Sequence, residues 1–110
     1  MSDRFDIRYA ALAADDVRGL RAFDQRKVID AIEEHLAYEP QRTSKSRIKA
    51  MEQPFWSQFR LRVDDIRVYY DVDEGNRAVN VLRVLKKGTE PTAQNPNEKS
   101  SDDENSDLDR

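Results

Sequence analysis

The clearest pattern along the chain is a two-residue alternation in its second half. Phe55 to Val63 and Ile66 to Val72 alternate apolar and polar positions, and only Asp64-Asp65 separates them. This is the signature of a β-hairpin closed by a two-residue turn. A second turn is expected over Asp73-Glu74-Gly75-Asn76-Arg77, with Gly75 and Asn76 suited to positive φ, and Ala78 to Leu85 forms a last strand. Near the N-terminus, Phe5, Ile7 and Tyr9 alternate with Asp6 and Arg8 as a further strand. The period then changes. Ala13, Val17 and Leu20 are spaced by four and three, which predicts a short helix from Ala10, with Asp15 and Asp16 toward its positive end. Asp24 is a fitting N-cap for a second helix, whose Val28, Ile29, Ile32 and Leu36 form one apolar stripe and which Pro40 ends. Arg42 to Glu52 reads as a loop. The order is βααβββ, an α+β architecture in which a helical pair covers one face of a twisted antiparallel sheet.

At 110 residues the chain is about one domain long, and residues 1–90 are expected to form it. Residues 91–110 hold one large aliphatic residue, Leu108, and no aromatic. Ordering them costs roughly 1–2 kcal/mol per residue, which so little apolar surface does not offset, so a disordered acidic tail is expected there. No apolar run approaches the roughly 20 residues that span a bilayer, and Met1-Ser2-Asp3-Arg4 lacks the apolar stretch of a signal peptide. A soluble, cytoplasmic protein without membrane contact is expected. Cysteine is absent, which excludes disulfides, thiolate metal sites and a thiol nucleophile. His35 is the single histidine, and Asp71, Asp73 and Glu74 show no metal-ligand spacing, so neither metal nor other cofactor is expected.

Charge is unevenly spread. Residues 1–41 carry 6 basic and 9 acidic side chains, residues 42–88 carry 11 and 6, and residues 89–110 carry 2 and 7. A basic segment thus lies between acidic flanks, and the tail could compete with a polyanion for it. The hairpin register concentrates this charge. With Asp64-Asp65 as the turn, Val63, Leu61 and Phe59 face Ile66, Val68 and Tyr70 on the helix side. On the other side Arg62 faces Arg67, Arg60 faces Tyr69 and Gln58 faces Asp71. Like charges directly opposite one another destabilise a sheet, so this face points to an absent anion unless Asp64 neutralises Arg62 and Asp65 or Asp71 neutralises Arg67. Arginine forks suit phosphate, and Tyr69 among them is placed to stack on a base. Lys86 and Lys87 end the last strand, and Lys45, Arg47 and Lys49 would rim the same side. Trp56 reads as a sheet-edge or core anchor, and His35 as a partly exposed helix residue.

The run Phe59-Arg60-Leu61-Arg62-Val63-Asp64-Asp65-Ile66-Arg67-Val68-Tyr69-Tyr70-Asp71-Val72-Asp73, followed by Val79 to Lys87 and preceded by Phe5 to Tyr9 and the two helices, resembles the RelE/ParE superfamily of toxin–antitoxin toxins. The likeness covers about residues 5–88. It implies the toxin of a type II toxin–antitoxin system, neutralised by a small antitoxin that wraps around it. RelE-like members cut messenger RNA on the ribosome without metal; ParE-like members inhibit DNA gyrase. A relative that has lost its catalytic set would be an interaction domain only. Carried over position by position, the resemblance makes Arg67, Arg60 and Lys87 the catalytic set; Arg62, Tyr69, Lys86, Lys45, Arg47 and Lys49, placed on the same side by register and charge, are expected to contact RNA. The tyrosine expected in the C-terminal segment is missing, since no tyrosine or histidine follows Leu85. Arginine stays protonated and cannot accept the 2′-OH proton, which leaves Lys86, Lys87 and Tyr69 as candidates for that step.

Overall fold

The computed structural model describes residues 4–88; the acidic tail expected over residues 91–110 lies outside the described residues. Strand β1 (Asp6–Tyr9) is followed by helices α1 (Ala11–Arg18) and α2 (Ala22–Leu36). Strands β2 (Ile48–Ala50), β3 (Phe59–Val63), β4 (Ile66–Asp73) and β5 (Ala78–Lys86) complete a sheet in the order β1-β5-β4-β3-β2. The α+β architecture is as expected, with two changes. Strand β1 runs parallel to β5, so the sheet is mixed; the long connection between these strands permits parallel pairing, which a hairpin does not. Strand β2 adds an antiparallel edge within the segment expected to be a loop, because three residues are too few to display a period.

The core lies between α2 and the sheet. Val28, Ile32 and Leu36, one helical turn apart, are buried against Leu61, Val63, Ile66, Val68 and Tyr70, each burial stabilising the fold by roughly 1.5–3 kcal/mol before entropy is counted. The Tyr70 hydroxyl donates to the Pro40 carbonyl at 2.6 Å, which ties the chain after α2 to the central strand. Burial raises the Tyr70 pKa far above its ordinary value.

Three acidic residues act otherwise than expected. Helix α2 starts at Ala22 with Arg21 in the cap position, so Asp24 falls in the first turn, on the buried stripe at 5 % exposure. There it meets Arg21, Lys27 and Lys86 at 3.5, 3.7 and 3.9 Å. Asp15 and Asp16 occupy the later half of α1 rather than its first turn. Asp16 accepts bonds from Arg83 Nε and Nη2 at 2.7 and 2.9 Å and from the Val84 amide at 2.9 Å, pinning α1 to β5.

Both turns of the β3–β4–β5 meander use the left-handed backbone region. Asp64 adopts φ +56°, the conformation that a two-residue hairpin turn requires of its first residue. In the second turn the positive φ falls on Arg77, at +49°, and not on Gly75 or Asn76. The Asp73 carboxylate shapes that turn by accepting from the Asn76 amide at 3.2 Å and from its Nδ2 at 2.8 Å, bonds that hold Asp73 below its ordinary pKa.

Candidate nucleic-acid interface

The β3–β4 register pairs Arg62 with Arg67 and Arg60 with Tyr69, as the two-residue turn requires. Edge strand β2 widens this surface. Lys49 pairs with Arg60, and one step earlier the Arg62 amide donates to the Arg47 carbonyl at 2.8 Å. Two rows therefore cross the sheet, Arg47–Arg62–Arg67 and Lys49–Arg60–Tyr69. The turn into β2 is built by Ser44, whose Oγ accepts from the Arg47 and Ile48 amides at 3.0 and 3.4 Å.

The result is a cleft of about 420 Å³ lined by Lys45, Arg47, Lys49, Arg60, Arg62 and Arg67, with Ser44, Ser46 and Ile48 and, among the described residues, no carboxylate. Two of the carboxylates expected to neutralise the arginines are engaged elsewhere. Asp64 Oδ2 accepts from Lys27 of α2 at 2.8 Å, and this bond, aided by the charges of Arg47 and Arg62, holds its carboxyl below the ordinary range. Asp71 accepts the Gln58 amide at 2.7 Å, while Gln58 Oε1 accepts the Val72 amide at 2.8 Å. Burial pushes the Asp71 carboxyl up, against the opposing effect of the Gln58 amide.

Arg67 is 7 % exposed. Its Nη1 donates to the Asp64 and Ile66 carbonyls at 2.9 and 3.4 Å, and these two main-chain bonds orient the guanidinium. Six of the nine expected site residues thus line one cleft. The other three do not. Tyr69 is only 2 % exposed, covered by the rings of Trp56 and Phe55 at 5.0 and 6.2 Å; the open tyrosine face expected from alternation is absent, because residues 55–58 form a loop folded over β4 rather than the start of β3. Trp56 serves as the anchor expected of it. Lys86 stands opposite Ile66, on the helix side near Asp24. An irregularity between Tyr69 and Tyr70 in the β4–β5 ladder moves its partner by one residue, and a one-residue shift reverses the face presented. Lys87 comes just after the strand, its amide bonded to the Asp65 carbonyl at 2.6 Å, outside the cleft wall. Arg83 is held by Asp16. His35 lines an adjoining depression with Glu34, Tyr38 and Glu39, which shares Ser44, Ser46, Arg47 and Ile48 with the cleft. Sequence reasoning missed Ser44; the available signal was a serine three residues before Arg47, the spacing of a side-chain-closed turn.

A helical pair packed on one side of a mixed five-stranded sheet, with a cationic cleft across β2, β3 and β4, is a toxin architecture of the RelE/ParE type. A model of the ParE toxin of the type II toxin–antitoxin system parDE matches residues 7–91, and the chain belongs to this family of type II toxins. Among solved structures, the RelBE2 toxin–antitoxin complex of Mycobacterium tuberculosis aligns with a TM-score of 0.65 at 22% identity, over 76% of this chain and 99% of that one. The archaeal RelE–RelB complex of Pyrococcus horikoshii gives 0.59 at 20% identity, over 79% and 99%. The isolated Escherichia coli RelE toxin gives 0.59 at 15% identity, over 93% and 94%. These likenesses establish the shared fold. Comparison with curated proteins yields no match. Among the described residues, no helix is long and apolar enough to cross a membrane.

Proposed function

We propose that this toxin is a ribosome-dependent endoribonuclease that cuts messenger RNA through the substrate's own 2′-OH. One observation carries the reading: six cationic side chains from β2, β3, β4 and the loop before them line a single cleft in which, among the described residues, there is no carboxylate. Attack of the 2′-oxygen on phosphorus adds negative charge to the phosphate as the bond to the 5′-oxygen breaks. Fixed guanidinium donors aimed at that charge are the group this chain supplies, and losing one such donor typically costs about 10²–10³ in rate. Arg60, Arg62 and Arg67 fill this role, with Lys45, Arg47 and Lys49 holding the flanking backbone. Among the described residues, the wall contains no imidazole, phenol or carboxylate, so removal of the 2′-OH proton falls to a lysine of the wall, Lys45 or Lys49, or to a ribosomal group. The solved relatives that are toxin–antitoxin complexes support a small antitoxin as the partner; a cytoplasmic location, and an acidic tail over residues 91–110 outside a toxin domain of residues 1–90, belong to the same reading on sequence grounds.

A second reading has its own support. The matching family model is that of ParE, and a cleft without a proton acceptor suits a protein that binds DNA gyrase without chemistry. Primer extension on translating ribosomes separates the two. Position-specific cuts by wild type, weakened about 10²-fold or more in Arg60→Gln without lowered melting, are expected. Inhibition of gyrase supercoiling without cleavage would replace the proposal with the second reading, and neither activity nor growth arrest would leave an interaction domain.

A further inference from the structure

Beside the cationic cleft lies a second depression, of about 510 Å³, lined by Lys49, Ala50, Met51, Glu52 and Phe55. Lys49 belongs to both, so the two open onto one continuous surface. The chemistry of their walls differs. Phe55 offers a half-buried ring whose position is fixed from behind, stacked on Trp56 at 4.9 Å with the Tyr69 ring beyond. Met51 supplies an adaptable apolar wall. Glu52 is exposed, and among the described residues no hydrogen bond or ion pair engages its carboxylate.

The loop that carries these groups is held in shape. Gln53 Nε2 donates to the Met51 and Ser57 carbonyls at 3.2 and 3.1 Å, and its Oε1 accepts from the Phe55 amide at 3.4 Å. The Met51 amide donates to the Gln58 carbonyl at 2.9 Å. Residues 51–58 are thereby preorganised without belonging to a strand, which lowers the ordering cost of any ligand.

We infer that this depression is a nucleobase subsite, in which Phe55 stacks a base of a single-stranded RNA whose phosphates lie along Lys49 and Arg60, and Glu52 reads the base edge. The inference rests on the proposed RNA-binding role of the cleft and adds its base specificity. Aromatic rings set beside a cationic groove are the arrangement by which single strands are held, and single-stranded RNA is read on exposed base edges. A carboxylate accepts only. It therefore favours a base presenting adjacent N–H donors, and guanine, with N1–H and N2–H side by side, matches its two oxygens best. Uracil presents one donor between two carbonyl oxygens and leaves one carboxylate oxygen facing another acceptor.

The test uses the purified full chain and four probes: the RNA hexamers UUGUUU, UUUUUU and UUIUUU, where I is inosine, and inorganic tripolyphosphate. Binding is read by fluorescence anisotropy of labelled RNA, with tripolyphosphate as unlabelled competitor, and by the emission of Trp56, the chain's single tryptophan. UUGUUU is expected to bind best and inosine, which lacks the second donor, to fall between it and uracil. Base-bearing probes should change Trp56 emission, and tripolyphosphate should not. Phe55→Ala should weaken all three hexamers by about 5- to 150-fold, the equivalent of 1–3 kcal/mol per stacked base, with tripolyphosphate competition unchanged. Phe55→Leu keeps the apolar bulk and should lose most of the same affinity, which covers the case in which the alanine variant does not fold. Glu52→Gln should abolish the guanine preference without weakening UUUUUU. Wild-type binding that steepens at low salt but is indifferent to Phe55 and Glu52 changes overturns the subsite alone. Failure of wild type to bind any hexamer overturns the RNA reading with it.

Discussion

Arg62 stands between two other arginines, with Arg47 on one neighbouring strand edge and Arg67 on the other. Its removal should therefore stabilise the free protein, the reverse of what most substitutions do. Each like-charge cross-strand pair costs roughly 0.2–1 kcal/mol, so Arg62→Gln relieves about 0.4–2 kcal/mol across two pairs. Loss of the arginine stem's packing offsets a few tenths of this. With about 4–8 °C per kcal/mol for a domain of this size, a net gain near 1 kcal/mol raises the melting temperature by roughly 4–8 °C at low salt.

The control is Arg42→Gln. Arg42 donates to Glu39 at 3.0 Å on the surface, so its loss should be neutral or slightly destabilising. Differential scanning calorimetry in about 20 mM and 1 M salt reads both effects; at 1 M the Debye length falls to about 3 Å and the Arg62→Gln gain should largely vanish. The same variant should bind single-stranded RNA more weakly, with the slope of log K against log salt reduced by about 0.7, one phosphate contact on a single strand. A lowered melting temperature in Arg62→Gln at low salt, or an unchanged RNA salt slope, would refute the view that Arg62 is repelled by its neighbours and contacts a phosphate.

Particular bonds give three further expected outcomes. Asp16→Asn breaks the two-pronged contact with Arg83 that joins α1 to β5 and should cost about 2–4 kcal/mol in urea unfolding, since a partly buried arginine loses its counter-charge. Tyr70→Phe removes the donor to the buried Pro40 carbonyl and should cost about 1–2 kcal/mol with RNA binding unchanged. Asp64 has its folded pKa lowered, first by the Lys27 bond, so its contribution is present above the unfolded carboxylate value near 4 and is lost as pH falls through the lower folded value. Asp64→Asn, which tolerates the left-handed turn conformation, should flatten the stability profile below about pH 4, measured by urea unfolding across roughly pH 2 to 6; an unaltered acid limb would contradict the assignment.

How much of the fold was legible depended on how long each pattern ran. The eight-residue β4 and nine-residue β5 show enough alternation to declare themselves, and the two-residue turn then fixes the β3–β4 register to the residue. The four-residue spacing of Val28, Ile32 and Leu36 declares α2, but the helix begins before the residue that looks like its cap. Asp24 carries the composition of a cap yet faces inward, where it meets Arg21 and Lys27 three residues to either side and also Lys86 of β5, a tertiary contact that no local signal encodes. The parallel pairing of β1 is hidden for the same reason. Alternation tells which face of a strand is buried, and nothing about the direction of its neighbour.

The site was legible where it depended on register and illegible where it depended on irregular backbone. Arg60, Arg62 and Arg67 share a face because the pleat has a period of two and the turn has a fixed length. Lys49 and Arg47 join them only through β2, a three-residue edge held by its ladder to β3 and by Ser44. Tyr69 keeps the expected face but loses its exposure, and Lys86 leaves that face, because alternation assumes an open surface and an unbroken ladder. The loop over residues 51–58 closes the first, and the irregularity between Tyr69 and Tyr70 breaks the second. Both departures arise where the backbone leaves the regular pleat. The same loop that removes Tyr69 from the surface brings Phe55 and Glu52 beside Lys49, so the aromatic character expected of this face is not lost but displaced outward by one layer, from the strand to the loop that covers it.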